Sequence, residues 1–94
     1  MALLSQDEIQ SALNQMDGWS LSKNTIVKTI SFKTYMDGIQ FVNKLAEIAE
    51  SMNHHPDLKV GWCKVDVLFT SHDQGGVTDQ CIRMAQTVEK ILDN

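Results

Sequence analysis

The amino-acid sequence predicts an α+β fold: a four-stranded antiparallel sheet with helices packed on one face, in the order α-β-β-α-β-β-α. Three features predict it. Three segments carry apolar residues at the spacing of an amphipathic helix. Between them lie stretches that alternate apolar and polar residues, as half-buried strands do. The links within each strand pair are tight, which favours antiparallel neighbours, and the helices need one apolar sheet face to cover.

The first helix falls at residues 5–15. Ser5 can cap it, Glu8 completes a capping box, and Ile9, Ala12, Leu13 and Met16 share a face. Asp17-Gly18 breaks it. Trp19 and Leu21 start a short strand, and Asn24 sits in a turn. Thr25 to Phe32 then alternates, with Ile26, Ile30 and Phe32 on one face and Val27, Thr29 and Ser31 on the other. Thr34 opens a long helix, with Asp37 at the reciprocal capping position and Ile39, Val42, Leu45, Ala49 and Met52 in its apolar stripe. That helix must end near Asn53 to His55, because the residue before Pro56 avoids helical backbone. Asp57 to Val60 is extended, Gly61 turns, and Trp62 to Ser71 is the clearest strand, with Cys63, Val65, Val67 and Phe69 on one face. After a loop at Gly75-Gly76, Thr78 caps a final helix with Cys81, Met84, Ala85, Val88, Ile91 and Leu92 along its stripe.

A chain of 94 residues fits one domain, spanning 1–94. A domain this small buries only about 60–65% of its unfolded surface, so self-association as a homodimer or homotetramer is expected. The net charge of -4 and the scattered placement of the 8 Lys and Arg argue against a nucleic-acid partner, which needs clustered cations. No apolar run approaches the roughly 20 residues of a membrane span. The N-terminal stretch turns acidic at Asp7-Glu8, too early for a signal peptide. Cys63 and Cys81 match neither a disulfide framework nor a zinc pair and are expected as reduced thiols. A cytoplasmic location is the expectation that follows.

The 3 histidines all sit at element ends: His54 and His55 close the long helix, and His72 follows the best strand. Histidine titrates nearest neutral pH and is the default proton-transfer side chain. From spacing alone, a helix stop and a turn decoration explain these residues as well as a chemical site does. Trp19 and Trp62 are core filler or an aromatic wall for a flat heterocycle, the former being more frequent. Glu50 lies one turn before His54 and shares its face, though a solvated carboxylate is the commoner role. A zinc site is disfavoured, because adjacent residues at a helix end point about 100° apart. No metal and no cofactor are expected.

The run Glu50-Ser51-Met52-Asn53-His54-His55-Pro56, then Trp62, then Thr70-Ser71-His72-Asp73-Gln74-Gly75-Gly76-Val77-Thr78, resembles the signature of the pterin-4a-carbinolamine dehydratases. Gly18-Trp19 and Phe32-Lys33-Thr34-Tyr35 also look like that family, so the resemblance spans nearly the whole chain. It implies the fold read above, commonly assembled as tetramers. It also implies loss of water from a 4a-hydroxytetrahydropterin to give a quinonoid dihydropterin. His54 and His72 would form the proton-transfer pair, with His55 binding or orienting the pterin. Glu50, Asn53, Pro56, Trp19, Trp62, Thr70, Ser71 and Asp73 would hold the substrate. The alternative implied is a non-catalytic pterin-binding or protein-partner module using the same pocket, as animal members also serve a homeodomain transcription factor. Cys81 stands where members usually carry Asp, and Asp57-Leu58-Lys59-Val60 lacks their usual Trp. These departures bear on catalytic efficiency more than on pterin binding.

Overall fold

The computed structural model describes residues 2–93, so Met1 and Asn94 of the expected 1–94 domain lie outside the described residues. The elements are α1 (Gln6–Leu13), β1 (Ser20–Ser22), β2 (Thr25–Ser31), α2 (Tyr35–Met52), β3 (Asp57–Val60), β4 (Lys64–Phe69) and α3 (Asp79–Leu92). Their order is the expected one. The four strands form one antiparallel sheet in the order β1-β2-β4-β3.

Local chemistry sets the ends of each element. The Ser5 hydroxyl accepts from the Glu8 amide at 3.1 Å, and the Glu8 carboxylate accepts from the Ser5 amide at 2.8 Å, completing the capping box. The bond from the Ser5 amide and, secondarily, the Ser5 hydroxyl hold the Glu8 carboxyl below its ordinary range. The helix stops at Leu13 rather than near residue 15, because Gln15 and Met16 donate three residues back, to Ala12 and Leu13, in tighter turns. At the start of α2 the Thr34 hydroxyl accepts from the Asp37 amide at 3.1 Å. The reciprocal bond from Asp37 is absent, since an aspartate is one methylene shorter than the glutamate such a box uses. Strand β4 is shorter than the expected Trp62 to Ser71: Gly61 and Lys64 close the turn before it, and Ser71 leaves it to bridge Gly76.

Register places Ile26 opposite Phe69 and Ile30 opposite Val65, so one sheet face is continuous and apolar. Phe41, Leu45 and Ala49 of α2 cover it, together with Cys81, Met84, Ala85 and Val88 of α3 and Ile9 and Leu13 of α1. The opposite face carries no buried strand residue, and Thr29 there donates to Asp66 across the β2–β4 pair at 2.7 Å. Among the described residues, no helix is long and apolar enough to cross a membrane.

Candidate active site

Asn53 decides where the neighbouring histidines go. It closes α2 in the left-handed conformation (φ 51°, ψ 41°), which Asn tolerates better than most residues. Its amide donates to the Glu50 carbonyl at 3.3 Å, and the His54 amide donates to the Ala49 carbonyl at 3.1 Å. This paired pattern is the Schellman closure, which folds the chain back over the last helical turn. Consecutive side chains therefore part company. His54 turns inward and is 9% exposed, its ring stacked on Phe69 at 6.1 Å between centroids. His55 stays outside, and its Nε2 lies 2.6 Å from Glu50 Oε1.

A small cavity of about 240 Å³ opens where the end of α2 meets the segment after β4 and the start of α3. Asn53, His54, Ser71 and Asp73 line it, as expected of a site on that segment, and Met52, Gln74 and Gln80 complete it. It is smaller than the roughly 300–1,000 Å³ typical of drug-sized ligands and suits one small heterocycle. A second hollow of about 450 Å³ adjoins the same helix end, bordered by Glu50, His55, Pro56 and Leu58. His72 stands exposed beyond β4, with Nε2 3.8 Å from an Asp57 carboxylate oxygen. A wider hollow of about 790 Å³ beside α1 holds none of the candidate residues.

His54 is where these groups meet electrostatically. Burial pushes its pKa below the ordinary 6.5, the neighbouring His55 and His72 push the same way, and Asp73 opposes them. The ring is therefore neutral at neutral pH. Its Nε2 lies 3.3 Å from Cys81 Sγ, and Cys81 is fully buried. Behind that thiol sit Ser71 Oγ at 3.5 Å and Thr78 Oγ1 at 3.8 Å, the two hydroxyls being 2.7 Å apart. Thr78 is the N-cap residue of α3 but makes no side-chain capping bond; its hydroxyl is turned to Ser71 instead. No buried side-chain nitrogen or oxygen among the described residues lacks a partner. Among the described residues His54 Nδ1 has no hydrogen-bond partner, so it is not buried: it opens on the cavity.

Three of the expected substrate contacts lie elsewhere. Trp19 is in the core, 7% exposed, with its indole N–H donating to Glu89 at 3.1 Å and its ring 6.1 Å from Phe69. Trp62 is 80% exposed in the turn before β4 and lines neither hollow beside α2. The Thr70 hydroxyl turns away to the Asn24 carbonyl at 2.7 Å. Conversely, Gln80, and the Thr78 and Cys81 partners of the expected Ser71, were not singled out as site residues by sequence reasoning. The available signal was positional: Thr78, Gln80 and Cys81 occupy the first turn of a helix that follows the histidine-bearing loop. Among the described residues, no group of three or more His, Cys, Asp or Glu is arranged to hold a metal ion.

The comparisons with known proteins fall on one family. The model of the pterin 4 alpha carbinolamine dehydratase family matches residues 2–91. A relative from Sulfurisphaera tokodaii, named for that dehydratase, is 44% identical over 92 residues, covering 98% of this chain and 99% of its own. One from Nostoc sp., named likewise, is 44% identical over 89 residues, covering 95% and 96%. The crystal structure of a transcriptional coactivator/pterin dehydratase from Brucella melitensis superposes with a TM-score of 0.90 at 31% identity, covering 95% of this chain and 97% of the other. A pterin dehydratase-like RuBisCO assembly factor of the alpha-carboxysome shares the fold, with a TM-score of 0.67 at 19% identity. With the family pattern matched along nearly its whole length, the chain belongs to the pterin-4a-carbinolamine dehydratase family.

Proposed function

We propose that the protein dehydrates a 4a-hydroxytetrahydropterin to the quinonoid dihydropterin and water. In that reaction the C4a–oxygen bond breaks, the hydroxyl leaves with a proton as water, and a base takes the ring-amine proton. The observation that carries the reading is a neutral, buried His54 whose Nδ1 opens on a small polar cavity, within electrostatic reach of His72. His54 and His72 form the proton-transfer pair. Asn53, Ser71 and Asp73 hold the heterocycle, while Glu50 and His55 border the adjoining hollow and orient it. Neither step calls for a cofactor.

The test is turnover of synthetic 4a-hydroxytetrahydropterin by purified protein, followed optically against the spontaneous rate. We expect His54→Ala and His72→Ala each to lose about 10²-fold or more, as removal of a positioned acid or base does. His55→Ala should raise KM more than it lowers kcat. Wild-type protein that leaves the spontaneous rate unchanged would sink this reading. It would favour instead a non-catalytic binding module, for which the Cys81 side chain behind His54 is the supporting observation.

A further inference from the structure

Cys81, Ser71 and Thr78 form a buried polar chain that ends on His54, and its proton count is constrained. Thr78 and Cys81 are fully buried and Ser71 is 6% exposed, so water satisfies little there. The two hydroxyls are 2.7 Å apart, and only one can donate to the other. The remaining hydroxyl has one acceptor left among the described residues, the Cys81 sulfur, at 3.5 Å from Ser71 or 3.8 Å from Thr78. A sulfur that accepts from a hydroxyl must send its own S–H elsewhere. The nearest acceptor is His54 Nε2, at 3.3 Å. Donation in the reverse sense, from Nε2–H to sulfur, would leave the S–H only the longer contacts back to the hydroxyl oxygens, at 3.5 and 3.8 Å, which is the weaker arrangement.

We infer that Cys81, ordered by Ser71 and Thr78, is a positioning residue that fixes His54 as the neutral tautomer protonated on Nδ1, so that the ring presents an N–H donor to the cavity. The hydrogen-bond partner of one ring nitrogen sets which nitrogen of a histidine carries the proton, and here that partner is a thiol rather than the usual carbonyl or carboxylate. The inference deepens the dehydratase reading and rests on it for its meaning in catalysis. It assigns His54 to the leaving-hydroxyl side of the pair and leaves the ring-amine proton to His72.

Long-range proton–nitrogen NMR of the full-length, nitrogen-15-labelled protein, above pH 7, reads the tautomer directly. The His54 signal is identified by its loss in His54→Gln. We expect Nε2 unprotonated in wild type and in Cys81→Ser, whose hydroxyl can donate in the same sense. Cys81→Asp accepts only, and should invert the tautomer. Cys81→Ala should leave a mixture. In turnover assays Cys81→Ala should lower kcat by a few-fold to about tenfold, following the fraction left in the competent tautomer, with KM little moved. Cys81→Ser should restore it. A protonated Nε2 in wild type overturns the inference even if the enzyme is active. An unchanged tautomer in Cys81→Ala overturns it equally. Should Cys81→Ala fail to fold, the wild-type and Cys81→Ser spectra decide the matter alone. Absence of turnover in wild type would remove the dehydratase reading and leave the tautomer result standing.

Discussion

At the scale of single residues, burial separates histidines that the sequence places side by side. His54 and His55 are neighbours, yet one is 9% exposed and the other pairs with Glu50 in solvent, where such pairs contribute roughly 0–1 kcal/mol. The sign of the His54 effect on stability follows from its lowered pKa. The unfolded chain takes up the proton near the ordinary 6.5, while the folded chain does so only at lower pH. The unfolded state therefore binds more protons as pH falls below that value. Stability should drop through this window and level off below the folded pKa. Urea midpoints measured across it should fall with acidification in wild type and fall less in His54→Gln. Equal slopes in the two proteins would mean that His54 does not titrate as described. None of this was readable from spacing, because a histidine at a helix end has either fate. The same holds for Trp19, whose two readings were resolved by Glu89, which takes both its indole N–H and the Lys28 ammonium.

At the scale of elements, the sequence was far more informative. Stripes such as Leu45 and Ala49, or Val65, Val67 and Phe69, are short-range patterns, and all of these residues are buried where periodicity put them. The caps at Ser5 and Thr34 were equally visible, since capping depends on residues three apart. The end of α2 was located by Pro56, but its geometry was not, because a left-handed residue leaves no periodic trace. The divergence expected of adjacent residues at a helix end is there, and Asn53 uses it to aim one histidine inward. Asn53→Ala should cost roughly 1–2 kcal/mol through the left-handed backbone, whereas Asn53→Gly should keep the fold nearly as stable. Denaturant titration of both variants checks this. Equal losses would point to the Asn53 side chain rather than its backbone. The Thr78 hydroxyl is the other feature the pattern missed: a capping residue by position, it serves a tertiary partner instead.

At the scale of the whole molecule, one layer of helices covers one sheet face and leaves the other open. Short strands β1 and β3 form the edges, and Tyr35, Met36, Val60 and Trp62 are exposed apolar side chains. Unpaired edges and apolar surface on so small a core favour self-association. We predict a homo-oligomer at micromolar concentration, with light scattering giving a multiple of the 10.6 kDa chain mass. A monomer mass would refute it. Trp62, 80% exposed within one chain, would then be a useful probe: its fluorescence should change on dilution if the contact covers it.

The segment ahead of α1 has a consequence of its own. Leu3 bridges Thr78, and the Leu4 amide donates to the Val77 carbonyl at 3.0 Å. The N-terminal segment thus clips directly onto the residue that orders the Cys81 thiol, though it is remote in sequence from every histidine. The Leu4 amide is a built-in sentinel. Its rate of exchange with deuterated solvent would report opening of the Val77–Thr78 segment without any label, ligand or assay, and would distinguish variants that loosen the pocket floor from those that merely change its chemistry.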